Sequence, residues 1–345
     1  MAKTVVGLEI TEEFVRAVEV TAGRRPVLVA SGEVPLPAGA AKDSEVLDPD
    51  AVALALRQLW TRAGIRNRRV VLGIGSKRVL VREFTTPTMR PDLLKQSLPF
   101  LVHELLPVPA EQSVLDFLPV SEADGQVSGF LVAAVSETVE VLLATLEKAK
   151  LRADAVDFAP FGLARAAGAL AEPGETVAMV HLGDHTGYVV IVRDGVPLFV
   201  RVLPIDVRKA DAEREEATAE VDAAIARIFE TVPAGPRVRL GAGSDAAPLH
   251  PPTPLAARDI AARVRSTLMF HADRADAPAV ARVLLSGPGA GSDGVLDALD
   301  AALDLDIVPV AAADVIGFES VRTQDSAARP DLVTTIGLVM GAEAA

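Results

Sequence analysis

The chain has 345 residues, of which 50% are hydrophobic, only 4% are aromatic and none is cysteine. This length suggests two domains, and the low aromatic content favours β-sheets covered by helices, so we expect an α/β protein. The absence of cysteine excludes disulfides, thiol catalysis and cysteine-ligated zinc.

The net charge of −13 repels nucleic acid and anionic lipid, unless a basic patch is hidden within the acidic total. The nearest approach to such a patch is Arg66, Arg68 and Arg69, which we interpret as a solvated loop. No apolar run approaches the roughly 20 residues of a transmembrane helix, and the opening stretch lacks the apolar core of a signal peptide. We therefore expect a cytoplasmic protein that binds no nucleic acid, does not insert into the membrane and reaches it only through a partner.

The chain opens with a predicted β-meander. Thr4–Ile10 and Phe14–Thr21 are β-rich runs joined by the turn Thr11–Glu13, and a third run, Pro26–Glu33, follows a Gly-Arg-Arg turn. A helix is predicted over Asp48–Gly64, because Asp-Pro-Asp is typical of a helix start and glycine of a helix end.

The next segment, residues 68–155, is predicted to be a compact β-β-α-β-β-α unit inserted into a larger domain. Its elements are the strands Val70–Ile74 and Val79–Phe84, a helix from Pro91 with a kink at Pro99, the strands Val114–Val120 and Gly129–Val135, and the helix Thr138–Lys150. The first two strands are expected to pair with each other. The strand Ala153–Phe158 and the helix Gly162–Leu170 then return the chain to the larger domain.

The second half repeats the opening meander. After a turn at Ala171–Gly174, the strands Thr176–Leu182, Gly187–Arg193 and Val196–Leu203 follow in the same order as the first three. Later predicted elements are a charged helix at about 210–231, a Pro/Gly-rich stretch to Pro254, the helix Leu255–Phe270, the strand Arg282–Ser286, the turn Gly287–Gly291, the helix Val295–Leu303, the strand Asp306–Val310 and the helix Leu332–Met340.

Several familiar sites are excluded by spacing. The chain has no G-x-x-x-x-G-K-[ST] loop, and Gly287–Ser292 fails the G-x-G-x-x-G pattern at its last position, so Walker and Rossmann sites are not expected. His181 and His185 flank a Gly-Asp turn rather than one helix face, which favours a turn histidine over a metal pair. No G-x-S-x-G motif indicates a catalytic triad.

Three turns at strand ends remain as candidates for a binding site. They contain Thr11, Glu12 and Glu13 in the first turn, Gly183, Asp184, His185 and Thr186 in the second, and Gly287, Pro288 and Gly289 in the third. In an actin-like ATPase two β-hairpin turns, one from each half, hold the phosphates through backbone N–H groups, and a later glycine-rich turn contacts the adenosine. The order of the turns fits this plan, although each turn alone is more typical of a plain hairpin.

Short motifs along nearly the whole chain resemble those of a known family. They are Gly7-Leu-Glu-Ile10, Val15-Arg-Ala-Val-Glu-Val20, Leu106-Pro-Val-Pro-Ala-Glu111, Val114-Leu-Asp-Phe117, Pro160-Phe-Gly-Leu-Ala-Arg165 and Ile336-Gly-Leu338. In this order they are similar to the PilM family of type IV pilus assembly proteins, which are actin-like proteins related to the division protein FtsA.

The resemblance implies an actin-like (ribonuclease H-like) two-domain fold with an inserted subdomain, called 1C, that PilM and FtsA share. Residues 1–67 and 156–171 would form subdomain 1A, residues 68–155 the 1C subdomain, and residues 172–345 the second half with a reduced IIB subdomain. The final helix, 331–341, is a candidate to return to 1A.

The resemblance also implies a cytoplasmic scaffold of a type IV pilus, or related type II secretion, assembly complex at the inner membrane. The expected partners are the cytoplasmic N-terminal tail of a PilN-like membrane protein and other pilus-machine proteins, and a homodimer is left open. The tail is expected to bind as an extended peptide between the first half and the inserted subdomain. Candidate wall residues are Phe84, Pro87, Phe100 and Leu101, for each of which the alternative is packing between the kinked helix and its sheet.

The candidate nucleotide site departs from the family pattern. Glu12 and Glu13 place carboxylates where phosphates would lie, and His181 stands where the family has an aspartate suited to magnesium. We therefore expect a degenerate site with weak or absent ATPase activity, and we do not expect ATP and magnesium to be bound. The alternatives left open are an active actin-like ATPase or kinase and an FtsA-like division filament protein.

Overall fold

Two β-sheets, one from each half of the chain, and a smaller inserted sheet organise the fold. The computed structural model describes residues 3–23, 25–207, 255–292, 294–318 and 324–341. The predicted charged helix at about 210–231 and the stretch to Pro254 lie outside these residues. Within the described ranges, no helix is long and apolar enough to cross a membrane.

Strands and helices alternate in groups along the described chain. The strands are β1 Thr4–Ile10, β2 Phe14–Thr21, β3 Val27–Pro35, β4 Ala41–Lys42, β5 Glu45–Val46, β6 Arg69–Ile74, β7 Leu80–Pro87, β8 Ser113–Ala123, β9 Gln126–Val135, β10 Arg152–Phe158, β11 Thr176–Leu182, β12 Thr186–Arg193, β13 Val196–Pro204, β14 Arg282–Ser286, β15 Asp306–Pro309 and β16 Gly317–Phe318. The helices are α1 Pro49–Ala63, α2 Pro91–Leu101, α3 Ser136–Lys148, α4 Ala159–Leu170, α5 Leu255–Ala272, α6 Val295–Ala302, α7 Ala312–Val315, α8 Gln324–Ala327 and α9 Val333–Met340.

The first sheet has the spatial order β10-β6-β1-β2-β3-β16. β1 runs antiparallel to β2 and parallel to β6, which in turn runs parallel to β10. β2 and β6 are buried over nearly their whole length, because helices cover both faces of the sheet. This burial explains why most residues of both strands are apolar and do not alternate regularly with polar ones.

Local sequence signals set both ends of α1, a helix beside the first sheet. The Asp48 side chain accepts hydrogen bonds from two amides of the first turn of α1, at 3.0 and 3.1 Å, and Gly64 ends the helix with a φ of 68°. Trp60 of α1 is buried and donates to the carbonyl of Asn67 at 2.9 Å. α1 packs against β2, β3 and α3, so the core of the first half lies between these helices and the sheet.

The second sheet has the order β13-β12-β11-β14-β15 and repeats the plan of the first. β11 runs antiparallel to β12 and parallel to β14. α5 and α6 pack on one face around the apolar residues of alternate strand positions, and α4 packs on the other. The two similar meanders predicted from sequence therefore lie in two different sheets.

α4 and α9 join the two halves. α9 packs against β1, β2 and β6, α4 packs against β11, β12 and β13, and the two helices contact each other. At their crossing, a Cβ on Gly337 would lie 2.0 Å from the carbonyl oxygen of Gly162. Glycine therefore allows the backbones to approach closely at this point.

The inserted sheet has the order β7-β9-β8, and α2 covers one of its faces around a small core of Leu98, Val102 and Leu131. The predicted pairing of Val70–Ile74 with Val79–Phe84 is wrong. β6 pairs with β1 and β10, whereas β7 pairs with β9. Because β6 and β10 belong to the first sheet and α3 packs on α1, the inserted sheet occupies only the middle of the range 68–155.

Candidate functional site

The first candidate turn closes the hairpin between β1 and β2. The Thr11 amide donates to the carbonyl of Phe14 at 2.9 Å, and the Phe14 amide donates to Thr11 Oγ1 at 3.0 Å. The Thr11 hydroxyl is therefore used inside the turn. Glu13 Oε1 lies 3.3 Å from Nε2 of His185, so this turn is linked directly to the second half.

The second turn closes the hairpin between β11 and β12. The Gly183 amide donates to the carbonyl of Thr186 at 3.1 Å, and a Cβ on Gly183 would lie 2.6 Å from that same oxygen. Glycine therefore leaves room for this tight contact. The carbonyls of Asp184 and His185 accept hydrogen bonds from two amides that follow β13, at 3.1 and 3.3 Å. These bonds tie the turn to the segment that leaves the second sheet.

The third turn follows β14 and packs against the base of the second turn. Gly287 has a φ of 91°, and a Cβ there would lie 2.4 Å from the carbonyl oxygen of Leu182. A Cβ on Gly289 would lie 2.8 Å from the Leu182 Cβ. Both glycines therefore allow the two turns to touch.

The three turns meet around a cavity of about 50 Å³. Its lining includes Thr11 and Glu12 from the first turn, Gly183, Asp184, His185 and Thr186 from the second, and Pro288 from the third. The structure thus brings residues of all three predicted turns together, while Glu13, Gly287 and Gly289 are not part of the lining. Pockets for small-molecule ligands usually enclose roughly 300–1,000 Å³, so this cavity is far smaller than a nucleotide needs.

Tyr188 spans the space between the halves. Its hydroxyl donates to the carbonyl of Gly75, just after β6, at 2.8 Å, and its ring stacks on His181 with 5.9 Å between ring centres. A Cβ on Gly75 would lie 1.8 Å from the Tyr188 oxygen, so glycine leaves room for the contact. Burial, and then the nearby Glu9, raise the pKa of Tyr188 well above its ordinary value. The hydroxyl therefore remains a hydrogen-bond donor.

His181 is buried beside Tyr188. Its Nδ1 lies 3.1 Å from Ser286 Oγ and 3.3 Å from Thr334 Oγ1. Burial, and then the positive charge of Arg16, lower the pKa of His181 to about 3. The imidazole is therefore neutral near pH 7 and offers no charge to a phosphate group.

A buried ionic network lies next to the cavity. Arg16 Nε donates to Glu33 at 2.7 Å, its guanidinium lies 3.0 Å from Asp331, and Arg329 contacts the same two carboxylates. Although burial opposes the ionisation of Asp331, the hydrogen bond from Arg329 and the charge of Arg16 hold its pKa below the usual range. Arg16 is therefore neutralised by carboxylates of the protein itself.

Glu9 adds a carboxyl group to the cavity wall. Burial raises the pKa of Glu9, against the opposing effects of Arg16 and of a hydrogen bond donated by Thr335. Further carboxylates on the lining are Glu12, Asp43 and Asp184. Together with the small volume, this acidic lining does not fit a nucleoside triphosphate. In the described parts of the chain, no three His, Asp or Glu side chains are grouped so that they could hold a metal ion.

The four candidate groove residues lie in different environments. Phe84 packs beneath α2, with its ring edge-on to Phe117 at 6.1 Å between centres. Pro87 is exposed at the end of β7, and Phe100 and Leu101 are exposed on α2, Phe100 by 79%. Phe84 therefore follows the packing alternative, whereas Phe100 does not.

The position of α2 also changes where a peptide groove would lie. Leu131 of β9 packs toward α2, whereas the adjacent Phe130 belongs to the core of the first half. Since successive residues of a strand point to opposite faces, α2 covers the face of the inserted sheet that points away from the first half. Phe84 and Phe100 therefore lie on the α2 side of the inserted sheet, and their role in a peptide groove stays a prediction.

Sequence reasoning missed three residues that line the cavity, which are Gly75, Tyr188 and Arg16. It also missed Asp331, which pairs with Arg16. One signal exists in the sequence, because Arg16 is a charged residue inside a mostly apolar strand, and a charge at a buried position needs a partner. Tyr188 is the single tyrosine of the chain, but nothing in its neighbourhood indicates a contact with Gly75.

Comparison with known proteins identifies the family. A family model described as type IV pilus assembly protein PilM matches residues 7–205, more than half of the chain. A solved structure of a PilM–PilN type IV pilus biogenesis complex matches with a TM-score of 0.77 and 23% identity, over 97% of both chains. The ethanolamine utilization protein EutJ from Carboxydothermus hydrogenoformans matches with a TM-score of 0.53 and 11% identity, over 99% of this chain and 90% of that one.

A more distant match is Ta0583, an archaeal actin homolog, with a TM-score of 0.44 and 14% identity over 99% of this chain and all of that one. Two related sheets joined by the crossing helices α4 and α9, together with the likeness to the solved PilM structure, make the fold actin-like. The extent of the family match decides the assignment: the chain belongs to the PilM family of type IV pilus assembly proteins.

Proposed function

We propose that this chain is a cytoplasmic scaffold of a type IV pilus assembly complex and binds the cytoplasmic tail of a PilN-like membrane protein without using a nucleotide. The solved relative described as a PilM–PilN complex supports the choice of partner. The observation that carries the proposal is an exposed apolar surface on the inserted subdomain. We call it the α2 surface, and it consists of Leu93, Phe100, Leu101 and Leu105.

The α2 surface is unusual within the described residues. Eleven large hydrophobic side chains are exposed in that part of the chain, and four of them lie between Leu93 and Leu105. An exposed apolar cluster is more typical of an interaction site than of a free surface. Next to it, β8 forms one edge of the inserted sheet over 11 residues. An extended peptide could pair with such an edge and place apolar side chains against α2.

The cavity between the turns supports the second part of the proposal. Tyr188 is bonded to Gly75 across the cleft, and the acidic lining leaves about 50 Å³. We therefore propose that the cleft is a structural junction between the halves. Under this proposal the α2 surface, and not the cleft, performs the function of the chain.

Substitution of Phe100 tests the proposed surface. A PilN-like tail peptide is titrated against the wild type and Phe100→Ala by fluorescence anisotropy. Because aromatic side chains dominate binding energy at interfaces, Phe100→Ala should weaken binding by about 1–3 kcal/mol, or roughly 5- to 150-fold. The matched control is Leu54→Ala, since Leu54 is also exposed but lies on α1, outside the α2 surface.

The unfolding temperature of Phe100→Ala should stay close to that of the wild type, because the side chain is mostly exposed. If Phe100→Ala binds the tail as tightly as the wild type, the α2 surface is not the binding site. If no PilN-like tail binds the intact chain, the proposed function itself is wrong.

A further inference from the structure

One edge of the first sheet collects basic side chains, although the whole chain carries a net charge of −13. We call it the basic edge, and it consists of the exposed residues Lys3, Arg25, Arg66, Arg68, Arg69, Lys150 and Arg152. The solvated loop that the sequence indicates at Arg66–Arg69 is only one part of it.

The topology explains why these residues meet. β1, β6 and β10 are parallel, so all three begin at the same edge, where β2 ends and β3 begins. Arg66 and Arg68 lie in the segment that leads into β6, and Lys150 lies in the segment that leads into β10. The register places Arg69 beside Arg152, and the Arg152 amide donates to the carbonyl of Arg68 at 2.9 Å. With neighbouring strands about 4.8 Å apart, five strands spread the charges over roughly 20 Å.

Most of these cations lack a partner within the described part of the chain. Arg69 pairs with Asp154 at 2.8 Å. The other six make no ion pair with a described residue. Positive charges held close together without counter-charges repel one another, so an anionic ligand would relieve the repulsion.

The corresponding edge of the second sheet is different. At the starts of its parallel strands and at the β12–β13 hairpin, cations and carboxylates are mixed, as Arg193, Asp194, Arg282 and Asp306 show. Arg282 is paired with Glu175 at 3.0 Å. The basic edge is therefore a property of the first half and not a general feature of this fold's sheet edges.

We propose that the basic edge contacts the anionic headgroups of a membrane surface. A cytoplasmic leaflet attracts each nearby Lys or Arg by about 1 kcal/mol, and the acidic remainder of the molecule would turn this edge toward it. Nucleic acid is less favoured, because no exposed aromatic side chain of the described residues lies on the edge to stack on bases. The choice of a membrane over other polyanions rests on the proposed function, which puts the chain beside a membrane protein.

The basic edge and the α2 surface do not compete for the same residues. The insert leaves the first sheet after Ile74, at the opposite end of β6 from Arg69. An extended tail of about ten residues reaches roughly 33 Å, enough to pass along a strand the length of β1. A membrane-anchored partner could therefore hold its tail on α2 while the edge rests on lipid.

Vesicle co-sedimentation of the full chain tests the proposal. The vesicles contain either phosphatidylethanolamine with phosphatidylglycerol or phosphatidylcholine alone. The test variant carries Arg66→Glu, Arg68→Glu and Arg152→Glu. The control carries Arg82→Glu, Arg193→Glu and Arg258→Glu, three exposed arginines elsewhere in the described residues that make no ion pair there. Both variants have the same net charge, so any difference reports on position.

The wild type and the control should sediment with the phosphatidylglycerol vesicles but not with phosphatidylcholine, and added salt should release them. The test variant should bind roughly 100-fold more weakly, since it loses three cations at roughly fivefold each. No sedimentation of the wild type, or equal loss in both variants, would overturn the proposal. So would tighter binding of the wild type to an RNA oligonucleotide than to the vesicles. Tail-peptide binding in solution should be unchanged in the test variant, which separates this inference from the proposed function.

Discussion

At the scale of single residues, His181 shows how the cleft differs from a nucleotide site. Its imidazole is buried between Tyr188 and the hydroxyls of Ser286 and Thr334, and its pKa is lowered from 6.5 to about 3. A group whose pKa is depressed by folding makes stability depend on pH. Between these two pKa values the unfolded chain binds a proton at His181 that the folded chain does not, so stability decreases as the pH falls.

The substitution His181→Gln should remove this pH dependence. As the pH is lowered from about 6 to 4, the free energy of unfolding of the wild type should decrease more steeply than that of the variant. The difference between the two slopes should be about 1 kcal/mol per pH unit. Urea unfolding at a series of pH values measures both slopes. Leu54→Ala provides the control, since this exposed position carries no titratable group and the wild-type slope should be kept. A variant that is merely less stable, with the wild-type slope, would show that His181 is protonated in the folded state.

The residues of the cleft can be predicted only in part. Thr11, Gly183 and Pro288 are identifiable because turns at strand ends have a clear sequence signature, and they do line one cavity. The contact between Tyr188 and Gly75 is not predictable, because it depends on how two remote strands approach each other. Phe84 and Phe100 look equivalent in sequence, yet one is packed beneath α2 and the other is exposed.

At the scale of elements, most strands follow their sequence pattern, and the wrong pairing of β6 with β7 has a physical explanation. Two strands separated by Gly-Ser-Lys suggest a hairpin. However, β6 is buried at five of its six positions, as a central parallel strand should be, whereas β7 is mostly exposed. A difference in apolar content between neighbouring strands therefore indicates different sheets more reliably than the turn indicates a hairpin.

The crossing of α4 and α9 should tolerate no side chain. In Gly337→Ala the new Cβ would lie 2.0 Å from the Gly162 carbonyl oxygen, so the helices would have to separate. We expect a loss of about 1–3 kcal/mol in the free energy of unfolding, although alanine normally favours a helix. Gly291→Ala is the control because nothing lies within 4 Å of its Cβ position, and it should change stability little. If Gly337→Ala has the same free energy of unfolding in urea as the wild type, the helices do not cross as closely as the structure shows.

At the scale of the whole molecule, the net charge describes the protein poorly, because charge is distributed unevenly over its surface. The total of −13 conceals the basic edge, which only the parallel arrangement of β1, β6 and β10 assembles. Likewise, the actin-like fold suggests a nucleotide cleft, and among the described residues the cavity between the three turns is lined by Tyr188 and several carboxylates. The family and fold can therefore be predicted from sequence, whereas the locations of the proposed binding surfaces cannot.

The central claim is that the chain binds a PilN-like tail through a surface that needs no nucleotide. Calorimetric titration of the tail peptide into the wild-type chain, with and without ATP and magnesium, tests it most directly. We expect the same affinity in both titrations, and no heat when ATP with magnesium is injected alone, because the cavity is too small and too acidic to hold them. Tail binding that appears only in the presence of ATP, or binding of ATP itself, would contradict this claim.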